Sequence, residues 1–83
     1  MSKKSMMQIR KKIGAEVKTL RVAKGWTQVK AAKKIVMPQA TLCVIEQGKL
    51  APGMDTINRI ARAYGVLAVF GDGGPVFRPL PES

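Results

Sequence analysis

RVAKGWTQVKAAKKIVMPQATLCVIEQG, residues 21–48, holds two short helical patterns joined by a tight turn. Thr27 suits the cap of the first, because its hydroxyl can accept from an N–H of the opening turn. Ala31, Ala32 and Ile35 then share a face, so this helix is expected to run to about Ile35. Pro38 suits the first position of the next helix, where a missing N–H costs nothing. That second helix is expected to reach about Gln47, with Leu42 and Ile45 turned inward and Gly48 as its stop.

Upstream, Ile9, Ile13, Val17 and Leu20 recur at steps of four, four and three, which is one face of a longer helix closed by Gly25. Met1–Ser5 reads as a mobile basic tail, with Ser5 able to cap that helix. Met6 and Met7 either extend its apolar stripe or meet a partner. Trp26, beside the Gly25 turn, reads as a core plug in preference to a stacking platform. Downstream, residues 49–53 form a loop, and Asp55 sits at the start of a fourth helix, Thr56 to Tyr64. Ile57, Ile60, Ala61 and Tyr64 make its stripe, and Gly65 closes it.

The end changes character. Val66–Phe70 is β-prone, Gly71–Gly74 is a turn and Pro75–Leu80 is again extended, which predicts a short hairpin or a strand with a return arm. A lone hairpin is marginal in water, so it must pack on something. A second subunit, with strands pairing across a two-fold axis through Val66, Leu67, Val69 and Phe70, is the simple answer. Folding back on the chain's own helices is the other. The expected organisation is a tail over 1–5, a helical domain over 6–65 and an arm over 66–83.

Charge is uneven along these 83 residues. Residues 1–45 carry eleven Lys/Arg and one acid, Glu16, while residues 46–83 carry four of each sign, so the net charge of +10 belongs to the first half. A polyanion is the natural partner of such a surface, because each neutralised phosphate releases condensed counterions. One cysteine, Cys43, excludes an internal disulfide and a cysteine zinc cluster and fits a reducing cytoplasm. No apolar run is long enough to span a bilayer, and no apolar stretch follows the N-terminal charges, so neither a membrane segment nor a secretory signal is expected. No histidine is present to activate the thiol, and the five acids show no paired or metal-ligand spacing. No enzyme, metal or cofactor is expected.

The chain resembles the Cro/repressor-type helix-turn-helix family, often called Xre-like. Arg21, Gly25, Thr27, Gln28, Ala32, Ile35, Gln39, Thr41, Leu42, Ile45, Glu46 and Gly48 carry the likeness without a gap. It continues through Pro52, Thr56, Ile60, Ala61, Tyr64, Gly65 and Val66, and so covers roughly residues 10–66. The resemblance implies a mainly α, four-helix, lambda-repressor-like fold with a C-terminal strand or hairpin. It implies that the second helix of the motif lies in a major groove while the first crosses the backbone. Thr27 and Gln28 then meet a phosphate at a helix amino end. Gln39 can bond an adenine edge bidentately, Thr41 reaches a base or a phosphate, and Ala40 and Val44 touch thymine methyls. Gln47 and Lys49 meet the backbone again. The family also pairs the residues matching Arg21 and Glu46 in a partly buried ion pair.

Three departures stand out. The family usually has leucine at Ala31, glycine at Val36 and Ser or Thr at Pro38. The reading helix is also unusually apolar, with Ala40, Cys43 and Val44 where polar readers are common. DNA shape then has more to supply. Cys43 reads as a small apolar contact in preference to a redox switch.

Two functions compete. One is a cytoplasmic, dimeric repressor on an inverted-repeat operator. The other is a protein-interaction module, an antitoxin that neutralises a toxin or a phage protein that sequesters a partner. The KGWTQ…AAKKI…QATL segments and the strand after the fourth helix resemble the antitoxin branch. Membrane binding through the cationic first helix is disfavoured, because core packing accounts for its apolar face.

Overall fold

Apolar residues at helical spacing meet at a single core. In the computed structural model, which describes residues 6–81, α1 spans Met6–Lys24, α2 Gln28–Ile35, α3 Gln39–Glu46 and α4 Met54–Tyr64. A hairpin follows, β1 over Val66–Gly71 and β2 over Gly74–Pro79. The expected basic tail over 1–5, its capping Ser5 and residues 82–83 lie outside the described residues. Ile13 and Val17 of α1, Ala31, Ala32 and Ile35 of α2, Leu42 and Ile45 of α3, and Ile57, Ile60 and Tyr64 of α4 form the buried cluster. Ile9, Leu20 and Trp26 pack on its margin. Each fully buried Ile or Leu contributes roughly 1.5–3 kcal/mol over an exposed one. Met6 and Met7 are exposed and do not join the stripe.

Gly14 fixes how closely α1 approaches α3. A Cβ at this position would fall on the carbonyl oxygen of Ile45 and within 2.8 Å of that of Glu46. Glycine costs a helix interior about 1 kcal/mol relative to alanine, and here it permits backbone contact with the last turn of α3.

The turn between α2 and α3 departs from glycine chemistry. Val36, the C-cap of α2, sits left-handed at φ 69°, ψ 62°, and its N–H bonds the Ala32 carbonyl. β-Branched residues rarely adopt this conformation. Arg59 of α4 holds the turn from outside, its Nη1 donating to the Val36 carbonyl at 2.9 Å.

Two boundaries differ from expectation. Pro38 is the N-cap of α3, not its first residue, with φ −63° and ψ 144°. Proline's fixed φ suits both positions, and ψ, which the ring does not set, decides between them. Its carbonyl accepts from the N–H groups of Thr41 and Leu42. The fourth helix begins at Met54, two residues before Thr56, because Gly53 takes the extended cap conformation. Asp55 thus lies inside the first turn.

The hairpin closes within the chain. β1 and β2 pair antiparallel from Val66↔Pro79 to Gly71↔Gly74, around a two-residue Asp72–Gly73 turn. The positive φ at this connection falls on Gly74, at 95°, which glycine accepts without strain. Val66, Ala68 and Phe77 rest on the helical core. The sheet therefore packs on its own helices. Its outer side is left apolar, with Leu67 at 46% and Val69 at 41% exposure, while Phe70, on the same face as Val66 and Ala68 but near the turn, is 44% exposed.

Candidate nucleic-acid interface

Helices α2 and α3 present their amino ends from a cationic half of the molecule. Thr27 caps α2, its hydroxyl accepting from the Lys30 N–H at 3.1 Å. Pro38 offers α3 no side-chain cap. The first N–H groups of a helix have no partner within it, so the opening of α3 is positively polarised. Gln39 and Ala40 are exposed there, while Thr41 and Val44 are half-buried one turn along. No acid stands in the first turn of either helix.

The acid that ends α3 is neutralised internally. Arg21 Nε donates to Glu46 Oε2 at 2.8 Å, and Arg21 Nη2 donates to Glu46 Oε1 at 3.1 Å. The Arg21 and Glu46 side chains are 14% and 3% exposed. Arg21 Nη1 also donates to the Trp26 carbonyl at 3.0 Å. One guanidinium thereby ties α1, the α1–α2 turn and α3 together. Hydrogen bonding to Glu46 pushes the Arg21 pKa further up, against the effect of desolvation.

Gln28 completes this cluster, and sequence reading missed that role. Its Nε2 donates to Glu46 Oε1 at 3.0 Å. A carboxylate so shielded from water demands donors, and Gln28 supplies one from α2. Gln47 is exposed, but its amide nitrogen lies against Cys43 Sγ at 3.3 Å. Lys49 is exposed just beyond the Gly48 turn. Gln47 and Lys49 thus lie at the carboxyl end of α3, the end that Gln28 also reaches through Glu46.

Trp26 buttresses the motif from behind. Its ring stacks on Tyr64 with centroids 5.3 Å apart. Burial pushes the Tyr64 hydroxyl up to about 12, with Glu46 adding to the shift and Arg21 opposing it. Among the described residues no group of His, Cys, Asp or Glu could hold a metal ion, and no helix is long and apolar enough to cross a membrane.

Comparison with known proteins agrees with this geometry. Residues 12–69 match the family model described as a helix-turn-helix domain. The crystal structure of an HTH_3 family transcriptional regulator from Vibrio cholerae superposes with a TM-score of 0.69 at 25% identity. The match covers 72% of this chain and 34% of that one, so the chain spans about a third of that regulator's length. No curated protein matches the chain.

Proposed function

The chain belongs to the helix-turn-helix domain family, and from that membership we propose that it is a sequence-specific, DNA-binding transcriptional regulator. The observation that carries this reading is the exposed amino end of α3, without a side-chain cap and with no acid in its first turn or in that of α2. In the proposal α3 enters the major groove. Gln39 reads a base edge, Thr41 supports it, and Ala40 and Val44 touch thymine methyls. Thr27, Gln28, Gln47 and Lys49 hold phosphates beside α3.

The regulator acts as a homodimeric repressor. The exposed Leu67 and Val69 support a contact between copies at the outer side of the hairpin, with Phe70 exposed on the other face near its turn. Val66 contributes less than expected, since it packs on its own core. Two α3 helices about one DNA turn apart then call for an inverted repeat. Selection from random duplexes tests this: the account expects two inverted half-sites spaced by about ten base pairs. Enrichment of unrelated sequences, or of none, contradicts it.

One observation favours the protein-neutralising reading: Ala40 is exposed, and Cys43 and Val44 are half-exposed, on the outward side of α3. Alanine at both Gln28 and Gln39 separates the two. Loss of DNA retention supports the regulator, and unchanged retention supports the interaction module.

A further inference from the structure

Helix α1 carries a second surface that the DNA reading does not use. Two open clefts adjoin along it. The first, about 320 Å³, is lined by Lys12, Ala15, Glu16, Thr19, Leu20 and Phe77. The second, about 380 Å³, is lined by Lys18, Thr19, Val22 and Ala23. Thr19 belongs to both, so they form one groove over two turns of helix.

The floor is small and apolar. Ala15, Thr19 and Ala23 recur at every fourth position, which stacks them on one side of the helix. The Thr19 hydroxyl is already used, donating to the Ala15 carbonyl at 2.9 Å. Val22 is exposed at one end, and Phe77 of the hairpin walls the other. Small side chains in register allow a second helix to lie close.

The rim is cationic. Lys12 and Lys18 flank the groove, and Lys24 follows Ala23 directly. Beyond it, Lys24, Lys30 and Lys34 converge on Trp26, each Nζ 5.9–6.0 Å from the ring centre. Glu16 also lines the groove, with the positive charges of Lys12 and Arg78 near it. Two copies meeting through this face would oppose lysine to lysine, so a second copy is disfavoured. The groove also points away from the reading helix. Gly14 faces α3, and at about 100° per residue Ala15, Thr19 and Ala23 lie round the other side of α1.

We propose that this groove docks an acidic amphipathic helix of a partner protein, whose apolar ridge fills the Ala15–Thr19–Ala23 floor while its carboxylates meet Lys12 and Lys18. The site accepts this partner whether or not α3 is engaged. It does not depend on the DNA reading.

The test uses the full chain and a synthetic peptide of about 18 residues, five helical turns, with leucine and alanine on one side and glutamate elsewhere. Calorimetry is expected to give saturable one-to-one binding, and amide shifts are expected to map to Ala15, Thr19, Val22 and Ala23. Thr19→Arg fills the groove without removing positive charge, and it is expected to weaken binding about tenfold or more. Ala23→Arg repeats the test at an independent exposed position. Gln39→Ala leaves peptide binding unchanged, and the same peptide with lysine for glutamate does not bind. Affinity unaffected by both arginine variants overturns the proposal, as does the absence of saturable binding or a shift map on another face.

Discussion

Arg21 on α1 and Glu46 at the end of α3 face each other through two parallel N–H···O bonds of 2.8 and 3.1 Å. Charge removed from one side leaves the other uncompensated, with Glu46 the more shielded of the two. Losing one partner of a buried pair costs about 3–5 kcal/mol, and partial exposure of Arg21 places this pair at the lower end. Arg21→Met is therefore expected to destabilise the fold by about 3 kcal/mol in urea titration. The double variant Arg21→Met/Glu46→Leu should recover part of that loss. A single variant as stable as the parent would show that the pair does not clamp α1 to α3.

Val36 predicts the opposite sign. It is 71% exposed, so its side chain contributes little burial, yet it holds a left-handed conformation at φ 69°. Relief of that strain outweighs the added freedom of glycine in the unfolded chain, leaving a net gain of about 1 kcal/mol. Val36→Gly should raise the melting temperature by roughly 4–8 °C for a domain of this size. An unchanged or lower value would mean that the Arg59 clamp on the Val36 carbonyl has already absorbed the strain.

The helices were legible because their core positions obey one period: Ile9 to Leu20, Ala31 to Ile35, Leu42 to Ile45 and Ile57 to Tyr64 all lie where spacing puts them. The hairpin was legible from its β-prone runs and the GDGG turn. Its partner was not, because Val66, Ala68 and Phe77 match a core face whichever subunit supplies the helices. Gly14 is a glycine within a helical run, with nothing local in sequence to name the α3 carbonyls it meets. The Arg59 clamp bridges 23 positions and leaves no periodic trace. Gln28 carries a helix-start pattern that is identical whether its amide faces a phosphate or Glu46.

Gly14 should be the least replaceable position on α1. Gly14→Ala drives a methyl into backbone, which cannot rotate aside as a side chain would. Overpacking of this kind costs about 1–3 kcal/mol. Gly25→Ala meets nothing within 4 Å, and its cost comes only from a φ of +72°. Denaturant midpoints should place Gly14→Ala below Gly25→Ala. The reverse order would contradict close contact between α1 and α3.

Glu16 predicts a dependence on pH. Burial pushes its carboxyl above the ordinary 4.5, and the pull of Lys12 and Arg78 only partly offsets this. The folded chain then holds this proton more tightly than the unfolded chain. The resulting stability is present below pH 4.5 and is lost as pH rises through the folded value. At neutral pH the ionised group is a net cost. Glu16→Gln should therefore melt above the parent at neutral pH, and the two curves should converge in acid. A variant less stable than the parent at neutral pH would show that the lysine and arginine contacts dominate.

The most direct test measures the binding of Gln39→Ala and the parent to the selected duplex and to a scrambled one, by fluorescence anisotropy across a range of salt. Loss of one bidentate base contact is worth about 1–3 kcal/mol, so the variant should lose roughly five- to a hundredfold in discrimination. Its salt slope should match the parent's, because the phosphate contacts remain. Equal discrimination by the two proteins would mean that the amino end of α3 does not read DNA.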